Sequence, residues 1–348
     1  VTRWHMSVRV GILGGTGAVG QRFIQLLDGH PEFELAAITA SEDSAGTPYR
    51  DAAKWRVDSP IPDDVGDITV RATEPDAVPD DVDLLFSSLP SGVAAEVEPD
   101  FAEAGYVISS NSSNARMAED VPLVIPEVNP EHLDVLDLQR DERGWSGALV
   151  KNPNCSTIAM VPTLATLDRF GLDRVHVATL QAVSGAGYSG VTSMEIIDNV
   201  VPHIGGEESK METESRKLLG DFDEAEISLH DVDVSASCNR VPTLDGHLEN
   251  VWAETEEDIE PEDAEDAFRD APTLDLPSAP DPLIEVFDDP SRPQPRLDRT
   301  LGGGMQVAAG GVQETPNGVQ YNCLAHNTIR GAAGASLLNG ELLADRGW

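Results

Sequence analysis

The stretch "VRVGILGGTGAVGQRFIQLLDGH", residues 8–30, decides the fold of this 348-residue chain. It opens with the apolar pattern of a buried strand, continues through the glycine turn "GGTGAVG", and ends with apolar residues at helical spacing. The second, fourth and last residues of the turn match G-x-G-x-x-G, a spacing that lets the backbone and a helix N-terminus approach a pyrophosphate. This unit therefore predicts a dinucleotide site formed by Gly14, Thr16, Gly17, Ala18, Val19 and Gly20.

Strands and helices continue to alternate after this first unit. "FELAAIT" (33–39) predicts a second strand, "VDLLFSSLP" (82–90) a further strand followed by a helix, and "YVISSNSSNAR" (106–116) a strand with a polar loop. Such alternation is typical of a parallel, doubly wound sheet with helices on both faces. We therefore expect an α/β fold whose first domain is Rossmann-like.

The pattern changes near residue 155. Longer strands such as "RVHVATLQAVS" (174–184) follow, with helices between them, which indicates an α+β domain with a mixed sheet. The Ala/Gly-rich C-terminal segment predicts a helix that returns to the first domain. We expect the first domain to comprise residues 1–153, completed by the helix 327–348, and the second domain to comprise residues 154–326. The Pro/Asp-rich segment 271–298 is expected to be a surface loop.

The end of the second predicted strand indicates which dinucleotide binds. An NAD-specific site usually has a carboxylate there, which binds the ribose hydroxyl groups. This strand ends "TAS" (39–41), with hydroxyl groups in place of a carboxylate. The sequence therefore predicts NADP as the cofactor, although Glu42 and Asp43 follow closely and no arginine is adjacent.

The chain is strongly acidic. It has 62 Asp and Glu residues against 23 Lys and Arg residues, a formal net charge of −39, and the acids are spread along the sequence. Such a surface repels nucleic acid and anionic lipid, so we expect neither as a partner. Because only four residues are lysine, the composition predicts adaptation to concentrated salt, in which self-repulsion is screened.

Several kinds of segment are missing from the sequence. No apolar run approaches the ~18 residues that span a bilayer, and the first ten residues lack the apolar core of a secretory signal. Three cysteines without regular spacing give neither a disulfide framework nor a zinc pattern. We therefore predict a cytoplasmic protein without a metal site, for which Met6 is a candidate internal start.

The segment "KNPNCSTIAM" (151–160) carries the first candidate for covalent chemistry. A proline fixes the chain before the turn and Asn154 is a good N-cap, so Cys155 is expected in the first turn of a helix. There the helix dipole and the free N–H groups favour a thiolate and can hold an oxyanion. A buried structural cysteine is the alternative, and strand-like surroundings favour it for Cys238 and Cys323. Polar, helix-starting neighbours make Cys155 the candidate nucleophile.

A thiol nucleophile needs a proton partner. Of the eight histidines, His247 lies in "CNRVPTLDGHLEN" (238–250), directly after an Asp-Gly turn that can present it to a cleft. Spacing alone leaves a solvated turn histidine as the alternative. His247 is therefore the candidate acid–base residue.

Taken together, these segments resemble the aspartate-β-semialdehyde dehydrogenase family, particularly its archaeal and fungal branch. The likeness spans nearly the whole chain. It rests on "GILGGTGAVGQRF", "TASEDSAG", "NSSNARM", "DVPLVIPEVN", "KNPNCSTI", "QAVSGAG", "GGEESKMETESRKLL", "NRVPTLDGH" and "NTIRGAAGAS". The segments that contain cysteine, arginine and histidine, in this order, are highly specific.

The resemblance implies a reaction. NADPH would convert L-aspartyl-4-phosphate into L-aspartate-4-semialdehyde and phosphate, through a thioester on Cys155 and with His247 as the acid–base residue. This step belongs to the biosynthesis of lysine, methionine and threonine. The substrate-binding residues that the resemblance implies are Asn154, Gln181, Arg116, Lys210, Glu207 and Arg240.

The implied substrate contacts each have a simpler alternative. Arg240 would bind the α-carboxylate of the substrate with a planar fork of two bonds, but it could be a sheet-surface arginine. Glu207 would pair with the amino group and Lys210 with the phosphate, but their i, i+3 spacing also suits an ordinary helix ion pair. Arg116, a second phosphate ligand, could pair with a nearby acid. Gln181 would lie close to the nucleophile.

The resemblance also extends the cofactor site and implies assembly. It adds six candidate contacts with NADP, at Ser41, Ser44, Ser88, Ser184, Gly185 and Asn327. Where many relatives have Asp-Asn, this chain has His326-Asn327, which leaves the nicotinamide contacts there open. The family forms homodimers and homotetramers through the second domain.

Related and unrelated functions remain open at this stage. N-acetyl-γ-glutamyl-phosphate reductase is disfavoured, because its nucleophile typically follows glycine and this one follows asparagine. Acyl-CoA reductases of the malonyl-CoA type would share nearly all the machinery. A catalytically silent NADP-binding sensor is the alternative from another class.

Overall fold

The computed structural model describes residues 7–223 and 226–348, and the candidate start at Met6 lies outside these ranges. Six strands form the first sheet, namely β1 (Val8–Leu13), β2 (Phe33–Ala40), β3 (Arg71–Ala72), β4 (Leu84–Ser87), β5 (Val107–Ser110) and β6 (Ala148–Lys151). They run parallel in the order β3-β2-β1-β4-β5-β6. The predicted doubly wound sheet is confirmed, and its strand order reverses between β1 and β4, where such folds bind ligands.

Helices cover both faces of this sheet. They are α1 (Ala18–Leu27), α2 (Tyr49–Ala52), α3 (Ser91–Glu103) and α4 (Leu136–Arg143). Phe23 and Ile24 of α1 belong to the apolar cluster on one face, and Phe101 of α3 belongs to the cluster on the other. Because the first helix begins at Ala18, directly after the glycine turn, its N-terminus points toward the strand ends that form the cleft.

The second sheet is mixed, as predicted. Eight strands follow the first sheet in the chain, namely β7 (Leu172–Gln181), β8 (Phe222–Asp223), β9 (Glu226–Ile227), β10 (Asp233–Arg240), β11 (His247–Thr255), β12 (Ile284–Phe287), β13 (Val307–Thr315) and β14 (Gly318–Ala325). Six of them form the sheet in the order β10-β7-β11-β14-β13-β12, whose two outer pairs are parallel and whose inner pairs are antiparallel. The strands β8 and β9 form a separate hairpin.

Helices pack against one face of the second sheet. The later helices are α5 (Thr157–Leu167), α6 (Ser193–Ile196), α7 (Glu207–Leu218), α8 (Pro261–Arg269), α9 (Pro295–Asp298) and α10 (Gly334–Arg346). Met160 of α5, Met211 of α7 and Phe268 of α8 pack with Val177 and Val251 of the sheet in one apolar cluster. Side chains alternate along β11, so its other residues, including the 39% exposed Trp252, lie on the open face.

The C-terminal segment forms the predicted helix, but a π-helical turn precedes it. The chain forms a π-helical turn at Ile329–Ala333 before α10, whose Leu337 and Leu342 join the cluster on the first sheet.

The Pro/Asp-rich segment 271–298 was expected to be a loop, and this was wrong, because it contains β12 and α9. The pairing of β12 with β13 is a tertiary contact that a four-residue pattern does not reveal. In the part of the chain that is described, no helix is both long and apolar enough to cross a membrane.

Candidate active site

The nucleophile candidate lies between β6 and α5. The side-chain Oδ1 of Asn154 accepts hydrogen bonds from the backbone N–H groups of Ser156 (2.9 Å) and Thr157 (3.2 Å). Its backbone carbonyl accepts from the N–H of Ile158 at 2.9 Å, which closes a helical turn around Cys155. Asn154 therefore caps this turn as predicted, although the regular helix begins two residues beyond Cys155.

Cys155 and His247 are in contact. The Sγ atom of Cys155 lies 3.3 Å from Nε2 of His247, the first residue of β11. The Nδ1 atom of the same ring accepts a hydrogen bond from the N–H of Ala182 at 3.1 Å, which fixes the ring with Nε2 toward the sulfur. His247 is fully buried, so it is not a solvated turn histidine. The Asp-Gly turn before it places Gly246 at a φ of 96°, in the left-handed region that favours glycine.

Burial holds both members of this pair neutral in the free enzyme. It raises the pKa of Cys155 to about 12, with the charge of Glu207 adding to the effect and Arg240 and Arg116 opposing it. Burial also lowers the pKa of His247 to about 3, and the nearby Arg240 lowers it further. Burial therefore opposes the thiolate that the helix N-terminus was expected to favour, because loss of solvation raises the pKa of the thiol.

Cys155 opens into a cavity of about 330 Å³ between the two sheets. The cavity lies against the glycine turn, the strand ends of the first sheet and α7. Eleven of the predicted site residues line it, namely Ala18, Val19, Ser88, Arg116, Asn154, Cys155, Ser184, Gly185, Glu207, Lys210 and Asn327. The fold therefore brings the candidate nucleophile, the predicted phosphate ligands and part of the predicted cofactor site to one cleft.

Glu207 and Lys210 of α7 form an ion pair at the edge of this cavity. Nζ of Lys210 lies 3.4 Å from Oε2 of Glu207. The other carboxylate oxygen of Glu207 accepts a hydrogen bond from Nδ2 of Asn154 at 2.7 Å. The helix ion pair foreseen as the alternative is thus present, but both of its members face the cleft, and Glu207 also holds the residue before the nucleophile.

Arg116 is paired as well, with an acid that the sequence analysis missed. Its Nη1 donates to Oε1 of Glu214 at 2.8 Å and its Nη2 to the carbonyl of Asn111 at 2.7 Å, while its buried Nε has no hydrogen-bond partner among the described residues. Oε2 of Glu214 accepts the backbone N–H of Asn154 at 2.6 Å. Glu214 follows Glu207 by seven residues on the same face of α7, and that spacing was the only available signal.

Arg240 lies beside this cavity and not in its lining. It is 7% exposed at the end of β10, borders a neighbouring cavity of about 600 Å³, and donates to the carbonyl of Ala182 at 2.7 Å. Its Nη1 is 3.5 Å from Oε1 of the buried Gln181. Gly185 packs against both Arg240 and His247, because a Cβ at this position would lie 2.8 Å from Nη1 of Arg240 and 3.3 Å from Nε2 of His247. Arg240 is therefore not a sheet-surface arginine.

The glycine turn has the shape that a dinucleotide requires. A Cβ on Gly20 would lie 2.5 Å from the carbonyl oxygen of Gly14, so only glycine lets α1 approach β1 this closely. Ala18 and Val19 line the cavity in the first turn of α1, where backbone N–H groups have no partner within the helix. Ser88 donates to the carbonyl of Gly14 at 3.1 Å and ties β4 to the turn. These features fit the diphosphate of NADP.

The remaining predicted cofactor residues divide into two groups. Ser41 and Ser44 follow β2, outside the lining of the cavity around Cys155. Asn327 donates to Oγ of Ser184 at 2.8 Å and accepts the N–H of Gly246 at 2.8 Å, so it joins the predicted nicotinamide site to the turn before His247. No group of three or more His, Cys, Asp or Glu residues within 7–223 and 226–348 could hold a metal ion.

The sequence matches two family models. Residues 9–136 match the NAD-binding domain of semialdehyde dehydrogenase, and residues 164–330 match the semialdehyde dehydrogenase dimerisation domain. The chain is 54% identical to an aspartate-semialdehyde dehydrogenase from Methanothermobacter thermautotrophicus, over 97% of this chain and 99% of the relative. It is 52% identical to the enzyme of that name from Archaeoglobus fulgidus, over 97% of this chain and 98% of the relative.

Solved structures agree with the sequence relatives. The aspartate-semialdehyde dehydrogenase of Candida albicans, solved with NADP, superposes with a TM-score of 0.89 at 40% identity and covers 97% of this chain and 99% of its own. The aspartate-semialdehyde dehydrogenase II of Vibrio cholerae, solved with ASA, gives a TM-score of 0.79 at 28% identity, with 99% and 100% covered. The chain belongs to the aspartate-semialdehyde dehydrogenase family.

Proposed function

We propose that this protein is an NADP-dependent aspartate-semialdehyde dehydrogenase that reduces L-aspartyl-4-phosphate to L-aspartate-4-semialdehyde and releases phosphate. The observation that carries the proposal is the 3.3 Å contact between Sγ of Cys155 and Nε2 of His247. This contact lies at a cleft that also contains the dinucleotide-binding turn and two basic side chains, Arg116 and Lys210. Nucleophile, proton partner, cofactor cradle and anion ligands are the components that acyl-phosphate reduction requires.

The covalent steps use Cys155 and His247. The sulfur of Cys155 forms a bond to the acyl carbon as the bond from that carbon to the phosphate oxygen breaks, so a thioester remains and the phosphate leaves with the proton that the thiol gives up. Bound NADPH supplies the hydride for the reduction of this thioester. Nε2 of His247 shares its proton with the oxygen of the resulting tetrahedral species and takes it back as the C–S bond breaks and the aldehyde leaves.

Substrate binding promotes ionisation of Cys155. In the free enzyme Glu207 contributes to the raised pKa of this thiol. The ammonium group of the substrate, paired with Glu207, cancels that charge and brings the pKa of Cys155 down.

The other contacts orient the substrate. Arg240 binds the α-carboxylate with two parallel bonds from its guanidinium group. Gln181, held against Arg240, and Asn154, held by Glu207, keep the reacting carbonyl beside the nucleophile. The phosphate ligands Arg116 and Lys210 provide the local positive charge that an anion needs in a protein of net charge −39.

The proposal includes a division of the chain and an assembly. We assign residues 1–153 with 327–348 to cofactor binding and residues 154–326 to catalysis and dimerisation. The packing of Leu337 and Leu342 on the first sheet supports the first assignment. The open face of the second sheet, with the exposed Trp252, supports a homodimer or homotetramer formed through that face.

The proposal also includes a cellular compartment and a salt requirement. A catalytic thiol requires a reducing compartment, so we place the enzyme in the cytoplasm, where its product serves lysine, methionine and threonine biosynthesis. The excess of 62 acidic over 23 basic residues supports adaptation to concentrated salt. Unfolding on dialysis into dilute buffer is the expected result, and full stability there would contradict the salt adaptation.

The test of the proposed function compares two substrates in molar salt. The enzyme should reduce NADP with L-aspartate-4-semialdehyde only when phosphate is present, which is the reverse of the proposed reaction. NADPH oxidation with malonyl-CoA, without phosphate dependence, would identify an acyl-CoA reductase instead. NADP binding without turnover of either substrate would identify a sensor.

A further inference from the structure

A buried lysine lies beneath the loop that carries Arg116. Lys151 is the last residue of β6, is fully buried, and contacts four acceptors. Its Nζ lies 2.5 Å from Oε2 of Glu98, 3.0 Å from Oγ of Ser110, 2.8 Å from Oγ of Ser112 and 3.2 Å from Oδ1 of Asn114. An ion pair with Glu98 alone would not need the three further acceptors, all of which belong to the end of β5 and the loop after it.

The loop held by Lys151 forms one wall of the active-site cavity. Ser112 lines the cavity while its hydroxyl contacts the buried ammonium group, so the charge lies one residue layer below the cleft. Burial lowers the pKa of Lys151 to about 8, with Glu98 opposing the effect, and the ammonium group remains charged at neutral pH. Arg116 extends from the same loop into the same cavity.

The backbone of this loop is strained next to Arg116. Ala115 has a φ of 60°, in the left-handed region that residues with a Cβ rarely adopt. Such a conformation persists only where the surrounding contacts impose it. Its two neighbours are both anchored, since Asn114 contacts Lys151 and Arg116 contacts Glu214. The contact with Lys151 is therefore one of several around the strained residue, together with the hydrogen bonds from Nζ of Lys217 to the carbonyl of Arg116 and from the N–H of Ala118 to the carbonyl of Ala115.

We propose that Lys151 is a positioning residue for the phosphate subsite, whose ammonium group fixes Ser112 and Asn114 and thereby aims Arg116 at the anion. The proposal rests on the proposed function, in which Arg116 is a phosphate ligand. Loss of Lys151 removes the donor that Ser112 and Asn114 share and leaves the carboxylate of Glu98 buried without its cation.

Two variants separate positioning from simple charge pairing. Lys151→Met should lower the melting temperature, because Glu98 is left unpaired, and should raise the KM for phosphate about tenfold or more. The double variant Lys151→Met/Glu98→Leu removes both charges without adding a donor beside Ser112, and should recover most of the melting temperature. Its KM for phosphate should stay high, because Ser112 and Asn114 still lack their donor, while its KM for NADP stays near that of the parent.

A core variant in the apolar cluster of the second sheet serves as the control. Phe268→Leu thins the cluster beside α8, away from the loop that carries Arg116, and should lower the melting temperature while leaving the KM for phosphate unchanged. Recovery of the parent KM for phosphate in the double variant would overturn the proposal and leave Lys151 a structural ion-pair partner. Phosphate-dependent activity of the parent is measured first; its absence would refute the proposed function itself and is distinct from either result for Lys151.

Discussion

Gly331 provides a test of how accurately Cys155 must be placed. This residue lies in the π-helical turn before α10, directly against the nucleophile. A Cβ added there would lie 2.8 Å from Cβ of Cys155 and 3.2 Å from its Cα, whereas ordinary contacts begin near 3.4 Å. In Gly331→Ala, one of the two residues must therefore move by about 0.6 Å. Because Cys155 begins a short turn and Gly331 lies inside packed helix, we expect Cys155 to move.

The size of the effect follows from this displacement. A reacting atom misplaced by about 1 Å can lower turnover ~10²-fold, so a shift of about 0.6 Å should lower kcat roughly 10-fold to 100-fold. The KM for NADP should remain that of the parent, since the glycine turn is untouched. Phosphate-dependent reduction of NADP by L-aspartate-4-semialdehyde measures both parameters.

Two glycine variants control for the substitution itself. Gly92→Ala adds a methyl group in α3 that would meet no described atom within 4 Å beyond its chain neighbours and its own helix backbone, and should behave like the parent. Gly334→Ala crowds Met305 near the start of α10, so it reports the effect of overpacking away from the nucleophile. The reasoning fails if Gly331→Ala keeps the parent kcat, or if Gly334→Ala lowers kcat equally at an equal loss of melting temperature.

Three further substitutions test the proposed roles one at a time. His247→Ala should slow turnover by roughly 10²–10⁴, the usual effect of a positioned acid–base group, and a loss below about fivefold would leave the ring without a catalytic role. Arg240→Lys keeps the charge but loses the planar fork, so catalytic efficiency should fall about 10²-fold while alkylation of Cys155 by iodoacetamide stays unchanged. Catalytic efficiency equal to that of the parent would show that Arg240 does not bind the α-carboxylate of the substrate. Glu207→Gln removes a charge that raises the pKa of Cys155, so iodoacetamide should alkylate Cys155 of the free enzyme faster at a fixed pH, while turnover falls. Equal or slower alkylation would show that Glu207 does not control the pKa of the thiol.

The features of the fold that were predicted correctly are specified by residues that are close together in the sequence. A strand, a glycine turn and a helix in direct succession need only neighbouring residues to specify them, and they placed β1 and α1 at the switch point of the sheet. Asn154 was recognisable as a cap because capping is itself a local hydrogen bond. The strand β12 was missed because its only sheet partner, β13, lies some twenty residues further along the chain.

The missed parts of the site depend on burial and on distant contacts. Glu214 is one acid among 62, and only the fold shows that it joins Arg116 to Asn154. Lys151 stands inside the quoted nucleophile segment, yet its four acceptors come from residues 37 to 53 positions away. The burial that raises the pKa of Cys155 could not be read from the sequence for the same reason, since desolvation depends on everything packed around the thiol.

The covalent role of Cys155 is the central claim, and a single-turnover measurement without phosphate tests it most directly. Enzyme mixed with NADP and L-aspartate-4-semialdehyde should form about one NADPH per active site in a rapid burst and then stop, because no phosphate is present to release the acyl group. Mass spectrometry of the digested protein should locate an aspartyl group on the peptide that contains Cys155, and Cys155→Ala should bind NADP but give neither burst nor adduct. A burst that survives in Cys155→Ala, or an adduct on another peptide, would contradict the account.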